Sequence, residues 1–398
     1  MKALNDNAHP LESLLQQHCP NGVEFKPLGE VIERVRRKVK NLNNVNVYSV
    51  SNSQGLILST DFRDRKLYSE DISNYTLIQK GEFAYNPARL NIGSIAFLTD
   101  EVGAVSPMYV VFKIDEKSLN QKFLFYFLKS PTTLRKIVSL TETGARFRFD
   151  FKRWEKFPIP LPPLEIQYKI VEILDTFTEL QAELQAELEA RLKQYHYYRN
   201  KLLSFEELQR RTDMLNGGGL KLVSLGEVCE IQKGRQLNKT ELLDNGKFPV
   251  INGGISPSGF WNEGNCKANR ITISQGGASA GYVNFMLIPF WAGAHCYVIE
   301  NEKENVVYKF LYYILKNQQT FLMTSQYGAG IPALAKSKIE QLKIPLPPLS
   351  VQEEIVELLD KFDTLTNDLT SGIPAEIEAR KKQYEYYRER LLSFIAKD

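Results

Sequence analysis

The sequence contains the same series of motifs twice, and this duplication limits the possible folds more than any other feature. The hexapeptide IPLPPL occupies residues 159–164 and returns at 344–349. ARLKQYHYYRNKLLSF at 190–205 returns as ARKKQYEYYRERLLSF at 379–394. Matches of this length within one chain indicate a structural unit that is built twice. The sequence therefore predicts a pseudo-twofold internal repeat.

Each copy consists of a variable part followed by a strongly helical part. The variable parts, 1–157 and 207–342, share little sequence, but both mix strand-like segments with Gly-rich turns. The helical parts cover 158–206 and 343–398. We therefore predict an α+β fold with a first variable domain, a central helix, a second variable domain and a distal helix.

The helical parts are long enough to form a rod. Residues 165–204 contain neither Pro nor Gly, and a helix of that length spans about 60 Å. Apolar residues recur four and three positions apart from Ile166 to Leu184, as in a coiled coil. The other copy is the expected partner, in which case the helices run antiparallel and separate the variable domains. The alternative is that each helix packs on its own variable domain.

The second helical part contains four additional residues. The offset between the copies is 185 residues at the IPLPPL box and 189 residues at the tyrosines. The quartet SGIP at 371–374, or a quartet next to it, accounts for this difference, and proline is well tolerated in the first turn of a helix. We therefore expect the distal helix to be interrupted and to restart around Pro374.

Charge is divided between the two kinds of segment. Residues 1–157 hold 23 Lys and Arg against 17 Asp and Glu, and residues 207–342 hold 14 against 11. The helical parts are acidic, with 5 against 8 in 158–206 and 8 against 11 in 343–398. This distribution suggests that the variable domains bind a polyanion.

The sequence lacks the motifs of catalysis. It has no GxxxxGK[ST] loop and no GxGxxG after a strand. NPAR at 86–89 faintly resembles the Asn-Pro-Pro-aromatic motif of amino-methyltransferases, but it lacks the second proline and the aromatic residue. The four cysteines and four histidines form neither CxxC nor HExxH, so we expect no metal site. We predict a binding protein without its own active site.

Neither a membrane span nor a secretory signal is expected. The longest apolar stretch, 285–294, contains Pro289 and is much shorter than the roughly 18 residues of a membrane helix. The first residues, MKALNDNAHPLESLL, are too polar for a signal sequence. We therefore expect a soluble, cytoplasmic protein.

Cationic and amide residues on turns and strand ends are the candidates for DNA contact in the first variable domain. The run RVRRKVK at 34–40 suits phosphates, although a solvated helix end is an equally good interpretation. The segments 51–55 and 85–94 are turns with amide tips, and RFRF at 146–149, as a strand, would place both arginines on one face. The candidates are Arg34, Arg36, Arg37, Lys38, Asn52, Gln54, Asn86, Arg89, Asn91, Arg146 and Arg148.

In the second variable domain, the loop KGRQLNK at 233–239 has the composition most typical of nucleic-acid contact. The turns at 274–279 and 325–328 allow close approach of the backbone and carry amide or hydroxyl groups. Loop amides more often form turns than read bases. The candidates are Lys233, Arg235, Gln236, Asn238, Lys239, Gln275, Ser279, Gln326 and Tyr327.

The repeated boxes IPLPPLEIQ…IVEILD…ARLKQYHYYRNKLLSF and IPLPPLSVQ…IVELLD…ARKKQYEYYRERLLSF closely resemble the conserved regions of type I restriction–modification specificity (S) subunits. The variable parts resemble that family's two target recognition domains, down to YNPARLNIGS and SQYGAGIPAL. The resemblance covers essentially the whole chain, and the tandem QAEL quartets at 181–188 resemble a short repeat found in one subgroup of the family.

The resemblance implies a subunit without catalysis that binds double-stranded DNA. It implies an asymmetric, split target with one half-site for each variable domain. It also implies two methyltransferase (M) subunits and restriction/translocase (R) subunits as partners. These partners would use S-adenosylmethionine, ATP and Mg²⁺, and the assembled complex would be an adenine-N6 methyltransferase and ATP-dependent endonuclease.

The repeated tyrosine boxes are the predicted docking surface for the methyltransferase subunits. Neighbouring tyrosines point in different directions around a helix, and surplus aromatic residues suit a protein interface. The alternative is that all six thicken the internal seam. The candidates are Tyr195, Tyr197, Tyr198, Tyr384, Tyr386 and Tyr387.

Three other functions are compatible with the same residues. The chain could be the recognition protein of a related, type II-like restriction–modification enzyme. It could be a coiled-coil scaffold that does not touch DNA, which salt-dependent DNA binding would exclude. It could also be an enzyme with unrecognised motifs, which binding of S-adenosylmethionine to the purified chain would reveal.

Overall fold

The computed structural model describes residues 15–40, 42, 45–52, 54–60, 71–141, 147–215, 218–325 and 332–394. The chain divides into two compact units. The first unit comprises residues 1–183 and 377–398, and the second unit comprises residues 184–376. Each unit mixes helices and sheets, and the predicted α+β class and internal repeat are confirmed.

In the described part of the first unit, the strands form two four-stranded sheets and one two-stranded ribbon. They are β1 Phe25–Pro27, β2 Ile32–Val35, β3 Val47–Ser51, β4 Gly55–Leu58, β5 Thr76–Gln79, β6 Phe83–Tyr85, β7 Ile95–Phe97, β8 Val102–Val105, β9 Val110–Ile114 and β10 Pro158–Pro160. The sheet orders are β2-β9-β6-β7 and β4-β3-β8-β5. The antiparallel β1–β10 ribbon joins the beginning and the end of the variable domain.

The second unit repeats this arrangement with different loops. Its described strands are β11 Lys221–Ser224, β12 Glu230–Lys233, β13 Phe248–Ile251, β14 Phe260–Trp261, β15 Arg270–Ser274, β16 Val283–Met286, β17 Trp291–Ala292, β18 Cys296–Glu300 and β19 Lys343–Leu346. The order β12-β18-β15-β16 corresponds to β2-β9-β6-β7, and β11 pairs with β19 as β1 does with β10. The smaller sheet, β14-β13-β17, lacks a counterpart of β5 among the described residues.

One uninterrupted helix contributes to both units, as the absence of Pro and Gly predicts. The helices are α1 Gln121–Leu128, α2 Pro131–Ser139, α3 Leu164–Leu202, α4 Phe205–Met214, α5 Leu225–Val228, α6 Tyr308–Asn317, α7 Gln319–Thr324, α8 Lys336–Glu340, α9 Leu349–Asn367 and α10 Ile373–Leu392. In α3, residues up to Glu183 belong to the first unit and residues from Leu184 belong to the second.

The interruption of the distal helix lies where the additional quartet predicts it. Helix α9 ends at Asn367, and α10 begins at Ile373 with Pro374 in its first turn. The Asp368 carboxylate accepts hydrogen bonds from the Thr370 N–H at 2.7 Å and the Ser371 hydroxyl at 2.8 Å. These bonds close the turn between the two helices.

The apolar seam of α3 has two kinds of partner within the first unit. Ile166, Ile170 and Leu174 are fully buried in one core with Phe123 of the unit's own variable domain. Further along, Phe177 contacts two tyrosines of α10, which comes from the other copy. The two alternatives for the seam are therefore both realised, in successive stretches of the same helix.

Candidate nucleic-acid interface

A buried glutamine fastens the first variable domain to the beginning of α3. Gln167 is fully buried, and its Oε1 accepts a hydrogen bond from the Asn120 N–H at 2.8 Å. Its Nε2 donates to the carbonyl oxygens of Ser118 at 2.9 Å and Pro162 at 2.8 Å. One side chain therefore satisfies three backbone groups on both sides of the junction.

Gln352 in α9 makes the same set of contacts in the second unit. Its Oε1 accepts from the Val307 N–H at 2.8 Å. Its Nε2 donates to the carbonyl oxygens of Asn305 at 3.0 Å and Pro347 at 2.8 Å. The glutamine that follows each IPLPPL box in the sequence is thus a structural clamp.

An aspartate in α3 holds the buried helix α1 of the first variable domain. Asp175 accepts hydrogen bonds from the Tyr126 hydroxyl at 2.7 Å and from the Lys122 ammonium at 2.6 Å. Burial raises the pKa of Tyr126, and the hydrogen bond to Asp175 raises it further. The tyrosine therefore remains a neutral donor.

The corresponding residues hold α6 in the second unit. The Tyr313 hydroxyl donates to Asp360 of α9, and the Lys309 ammonium lies 3.5 Å from the same carboxylate. Clamp and aspartate together fix each variable domain against its helix at defined positions. The exposed loops of each variable domain extend from this anchored framework.

The cationic run at 34–40 begins on a strand, so the interpretation as a helix end is wrong. Arg34 is exposed on β2, and its guanidinium lies 6.0 Å from the centre of the Phe151 ring. Arg36 is also exposed. These two arginines are available for phosphate contact.

The next two cations of the run have partners inside the domain. Arg37 pairs with the buried Glu82 and donates to the Gln79 side chain at 2.6 Å. Lys38 donates to the Asn74 carbonyl oxygen at 2.7 Å. Both residues connect the segment after β2 to β5 and its flanking turns.

Two amide candidates lie on the turn between β3 and β4. Asn52 and Gln54 are exposed, and the Gln54 N–H donates to the Ser51 hydroxyl oxygen at 3.3 Å. The Lys129 ammonium, from the end of α1, donates to the Asn52 carbonyl oxygen at 2.6 Å. Lys129 is not among the residues predicted from the sequence to contact DNA. The alignment of KFLFYFLKS at 122–130 with KFLYYILKN at 309–317 carries the signal that identifies it.

The turn after β6 separates its three candidates. Asn86 is buried, and its side-chain oxygen accepts from the Ala88 N–H at 3.0 Å, so its amide shapes the turn. Arg89 is exposed, and Asn91 is half-buried in a short 3-10 helix. Of the three, Arg89 has the greatest reach into solvent.

The segment 147–150 is not a strand, contrary to the alternation-based expectation, but its side chains do alternate. Phe149 is fully buried and its N–H donates to the Pro87 carbonyl oxygen at 2.9 Å. Arg148 is exposed and pairs with Asp150 at 2.9 Å. Arg146 lies outside the described residues.

The loop 233–239 presents its polar side chains to solvent. The exposed candidates are Lys233, Arg235, Gln236, Asn238 and Lys239. The backbone of the loop is fixed, because the Arg235 N–H donates to the Ala292 carbonyl oxygen at 2.8 Å. A Cβ atom on Gly234 would collide with the carbonyl oxygens of Ala292 and Gly293, so glycine is required there. A rigid backbone with exposed cationic side chains suits phosphate contact.

The loop after β15 contains the last described candidates. Gln275 and Ser279 are half-buried. The Gln275 N–H donates to the His295 carbonyl oxygen at 2.8 Å, and its own carbonyl oxygen accepts from the Leu334 N–H at 2.7 Å. Gln326 and Tyr327 lie outside the described residues.

Two tyrosines of α3 face the helix seam and the third faces solvent. Tyr195 is buried, and its ring lies 6.3 Å from that of Phe362 in α9. Tyr198 also stacks on Phe362, with the ring centres 5.5 Å apart. Tyr197 is 60% exposed. The seam therefore uses two of the three rings.

The tyrosines of α10 repeat this pattern in the first unit. Tyr384 and Tyr387 contact Phe177 of α3 with ring centres 6.3 and 5.5 Å apart. Tyr386 is 59% exposed. The expectation that neighbouring tyrosines point in different directions is confirmed, and one ring of each box lies on the surface.

The part of the chain that the structure describes contains neither a cluster of metal ligands nor a membrane-spanning helix. Its His, Cys, Asp and Glu side chains form no group of three that could hold a metal ion. Its helices include none with both the length and the apolar character of a membrane span.

The sequence matches the type I restriction modification DNA specificity domain twice, over residues 20–194 and 218–379. A Haemophilus influenzae protein described as a type I restriction enzyme specificity subunit is 30% identical over 424 residues, covering 98% of this chain and 100% of the relative. The Escherichia coli type I restriction enzyme EcoR124I/EcoR124II specificity subunit is 31% identical, covering 73% of this chain and 74% of that subunit.

The fold is similar to two solved structures of such subunits. The type I restriction–modification S subunit from M. genitalium aligns with a TM-score of 0.58 at 18% identity, covering 98% of both chains. The HsdS subunit from Thermoanaerobacter tengcongensis aligns with a TM-score of 0.51 at 19% identity, covering 94% of this chain and 97% of that one. The two matched specificity domains and the full-length relative establish that the chain belongs to the family of type I restriction–modification specificity subunits, which are non-catalytic DNA-recognition proteins.

Proposed function

We propose that this chain recognises a split, asymmetric DNA target, with one half-site for each variable domain. One observation carries the proposal. The two units repeat their clamps and aspartate contacts residue for residue, whereas their exposed loops share neither sequence nor hydrogen bonding. A duplicated framework with two unrelated surfaces suits two independent readings of DNA.

Two kinds of side chain would contact DNA: cations would contact the phosphates, and amides would contact the base edges. Phosphate contacts set the register on the duplex, and contacts with base edges carry the sequence information. Arg34, Arg36 and Arg89 in the first unit, and Arg235 and Lys239 in the second, are exposed and suited to phosphates. The remaining exposed amides, such as those of Asn52 and Gln236, are suited to base edges.

The chain would act inside a complex. We assign two methyltransferase subunits and restriction/translocase subunits as its partners, and the use of S-adenosylmethionine, ATP and Mg²⁺ to those partners. The exposed Tyr197 and Tyr386 occupy equivalent positions in the two copies. Two equivalent surfaces fit two copies of one partner.

An exchange of one domain tests the proposal. Residues 207–342 are replaced by the equivalent segment of a relative, and the methylated motif of a host carrying the chain with its methyltransferase is sequenced. We expect one half of the motif to change and the other half to remain. A change in both halves, or in neither, contradicts the proposal. If the original chain shows no salt-dependent DNA binding, a scaffold is favoured instead.

A further inference from the structure

A lysine at the end of the buried helix of each variable domain contacts the exposed loops. KFLFYFLK at 122–129 and KFLYYILK at 309–316 are similar within otherwise divergent domains. Lys122 and Tyr126 of α1 contact Asp175, and Lys309 and Tyr313 of α6 contact Asp360. The first phenylalanine and both leucines of each segment are buried in the core. The last lysine of each segment, Lys129 or Lys316, instead contacts the backbone of a strand end or turn of its variable domain.

Lys129 supports the turn that carries Asn52 and Gln54. Its ammonium donates to the Asn52 carbonyl oxygen at 2.6 Å, across 77 residues of sequence. The same ammonium lies 5.0 Å from the centre of the Phe125 ring, which lines a cleft together with Gln54. The lysine therefore joins the anchored helix α1 to the tip of the β3–β4 hairpin.

Lys316 supports the end of the loop that carries Gln275 and Ser279. Its ammonium donates to the Val283 carbonyl oxygen at 2.8 Å and lies 4.2 Å from the centre of the Tyr282 ring. The Val283 N–H donates to the Gln319 side chain at 3.0 Å, and Lys316 also donates to that side chain at 2.9 Å. The backbone of Val283 is thus held on both sides.

Both lysines occupy electrostatically unfavourable places. Burial lowers the pKa of Lys129, and Arg388 lowers it further. Burial and then Arg199 lower the pKa of Lys316 to about 8, with Asp363 acting in the opposite sense. A half-buried ammonium beside a second cation is costly unless its hydrogen bonds offset the loss of water. The carbonyl oxygens of Asn52, on the β3–β4 turn, and of Val283, at the start of β16, accept those hydrogen bonds.

We propose that Lys129 and Lys316 are positioning residues for sequence readout. Lys129 fixes the β3–β4 turn to α1, and Lys316 fixes the end of the loop between β15 and β16 to α6. The inference rests on the proposed split recognition. A loop that is held in one conformation discriminates between bases better than a loop with several conformations, because misplaced donors can pair with the wrong base edge.

The test uses Lys129→Met and Lys316→Met in the full chain, co-expressed with the methyltransferase subunit of its own system. Methylation is measured on DNA with single base-pair changes in each half-site. Lys129→Met should reduce discrimination about tenfold in the half-site read by the first domain and leave the other half-site unchanged. Lys316→Met should do the reverse, so each variant is the matched control of the other.

Two further variants separate positioning from general stability. Lys129→Arg and Lys316→Arg keep a charged donor and should retain discrimination within about threefold of the wild type. If Lys316→Met does not fold, Gln319→Met removes the other hold on Val283 and should relax the same half-site.

The outcomes distinguish the inference from the proposed function. If the wild-type complex methylates no split motif, the proposed function fails. If the wild type does so and the folded methionine variants keep full discrimination, the positioning role is refuted. Equal loss in both half-sites also refutes it, because that result indicates general destabilisation.

Discussion

Where each variable domain meets its helix, the first and second units use corresponding residues, whereas at their exposed loops they use different ones. Gln167 corresponds to Gln352 and Asp175 to Asp360, and each corresponding pair contacts equivalent positions of its variable domain. In the loops, by contrast, Arg37 of the first unit pairs with a buried glutamate, and Arg235 of the second unit is held by its backbone with an exposed side chain.

The difference shows which contacts a duplicated framework must keep. A buried amide must find all of its hydrogen-bond partners, so a change at the clamp is costly. An exposed loop residue exchanges its partners with water and can be replaced at little cost. The two units can therefore differ in their exposed loops while they keep the same contacts between variable domain and helix.

Removal of the clamp should have the largest effect and should be equal in both units. Gln167→Leu or Gln352→Leu leaves three backbone groups, one buried and two part-buried, without their partner. We expect the free energy of unfolding of the affected unit to fall by about 3 kcal/mol. Urea-dependent hydrogen–deuterium exchange, read separately in peptides of the two units, measures it.

Gln185→Leu, on an exposed position of α3, is the control for the clamp variants and should change stability by less than about 0.5 kcal/mol. A loss below about 1 kcal/mol at one clamp but not at the other would show that the two anchors are not equivalent.

A smaller effect should be specific to the second unit. Glu207 in α4 lies 2.7 Å from both Arg210 and Arg211. Hydrogen bonds from these arginines, the one from Arg210 foremost, lower the pKa of Glu207 to about 2. Since this lies below the unfolded value of about 4.3, the cluster stabilises at higher pH, and its contribution is lost as pH falls from about 4.3 towards 2.

Glu207→Gln should therefore cost about 1 kcal/mol at pH 7, after allowance for solvent around Arg210, and less at pH 3. Urea unfolding at the two pH values measures the difference, and Glu206→Gln, at the exposed neighbouring position, is the control. A loss that is the same at both pH values would mean that packing, and not charge, accounts for it.

The smallest effect on stability is expected at the exposed tyrosines. Tyr197→Ala and Tyr386→Ala should change the free energy of unfolding by less than about 0.5 kcal/mol, because both rings are mostly exposed. They should nevertheless weaken co-purification with the methyltransferase subunit, together more than singly. Tyr198→Ala, which removes a ring stacked on Phe362, should destabilise the helix pair instead. Unchanged co-purification would place the docking surface elsewhere.

Features that depend on neighbouring residues could be read directly from the sequence. The repeat, the uninterrupted α3 and the restart of the distal helix with Pro374 in its first turn follow from motif spacing and from the positions of Pro and Gly. Alternation also identified Phe149 as buried and Arg148 as exposed.

The partners of individual side chains were decided only by the tertiary structure. The run 34–40 contains five cations, four of them candidates for DNA contact, yet the fold engages Arg37 with Glu82, 45 residues away, and leaves Arg34 exposed. Asn86 has a side-chain amide that could read a base edge, but it is buried and shapes its own turn. Lys129 lies in a segment, 122–130, that resembles 309–317, but only the fold shows that it reaches a turn 77 residues earlier. Periodicity and spacing describe contacts within a helix or strand, whereas contacts between distant segments depend on how the sheets and helices pack.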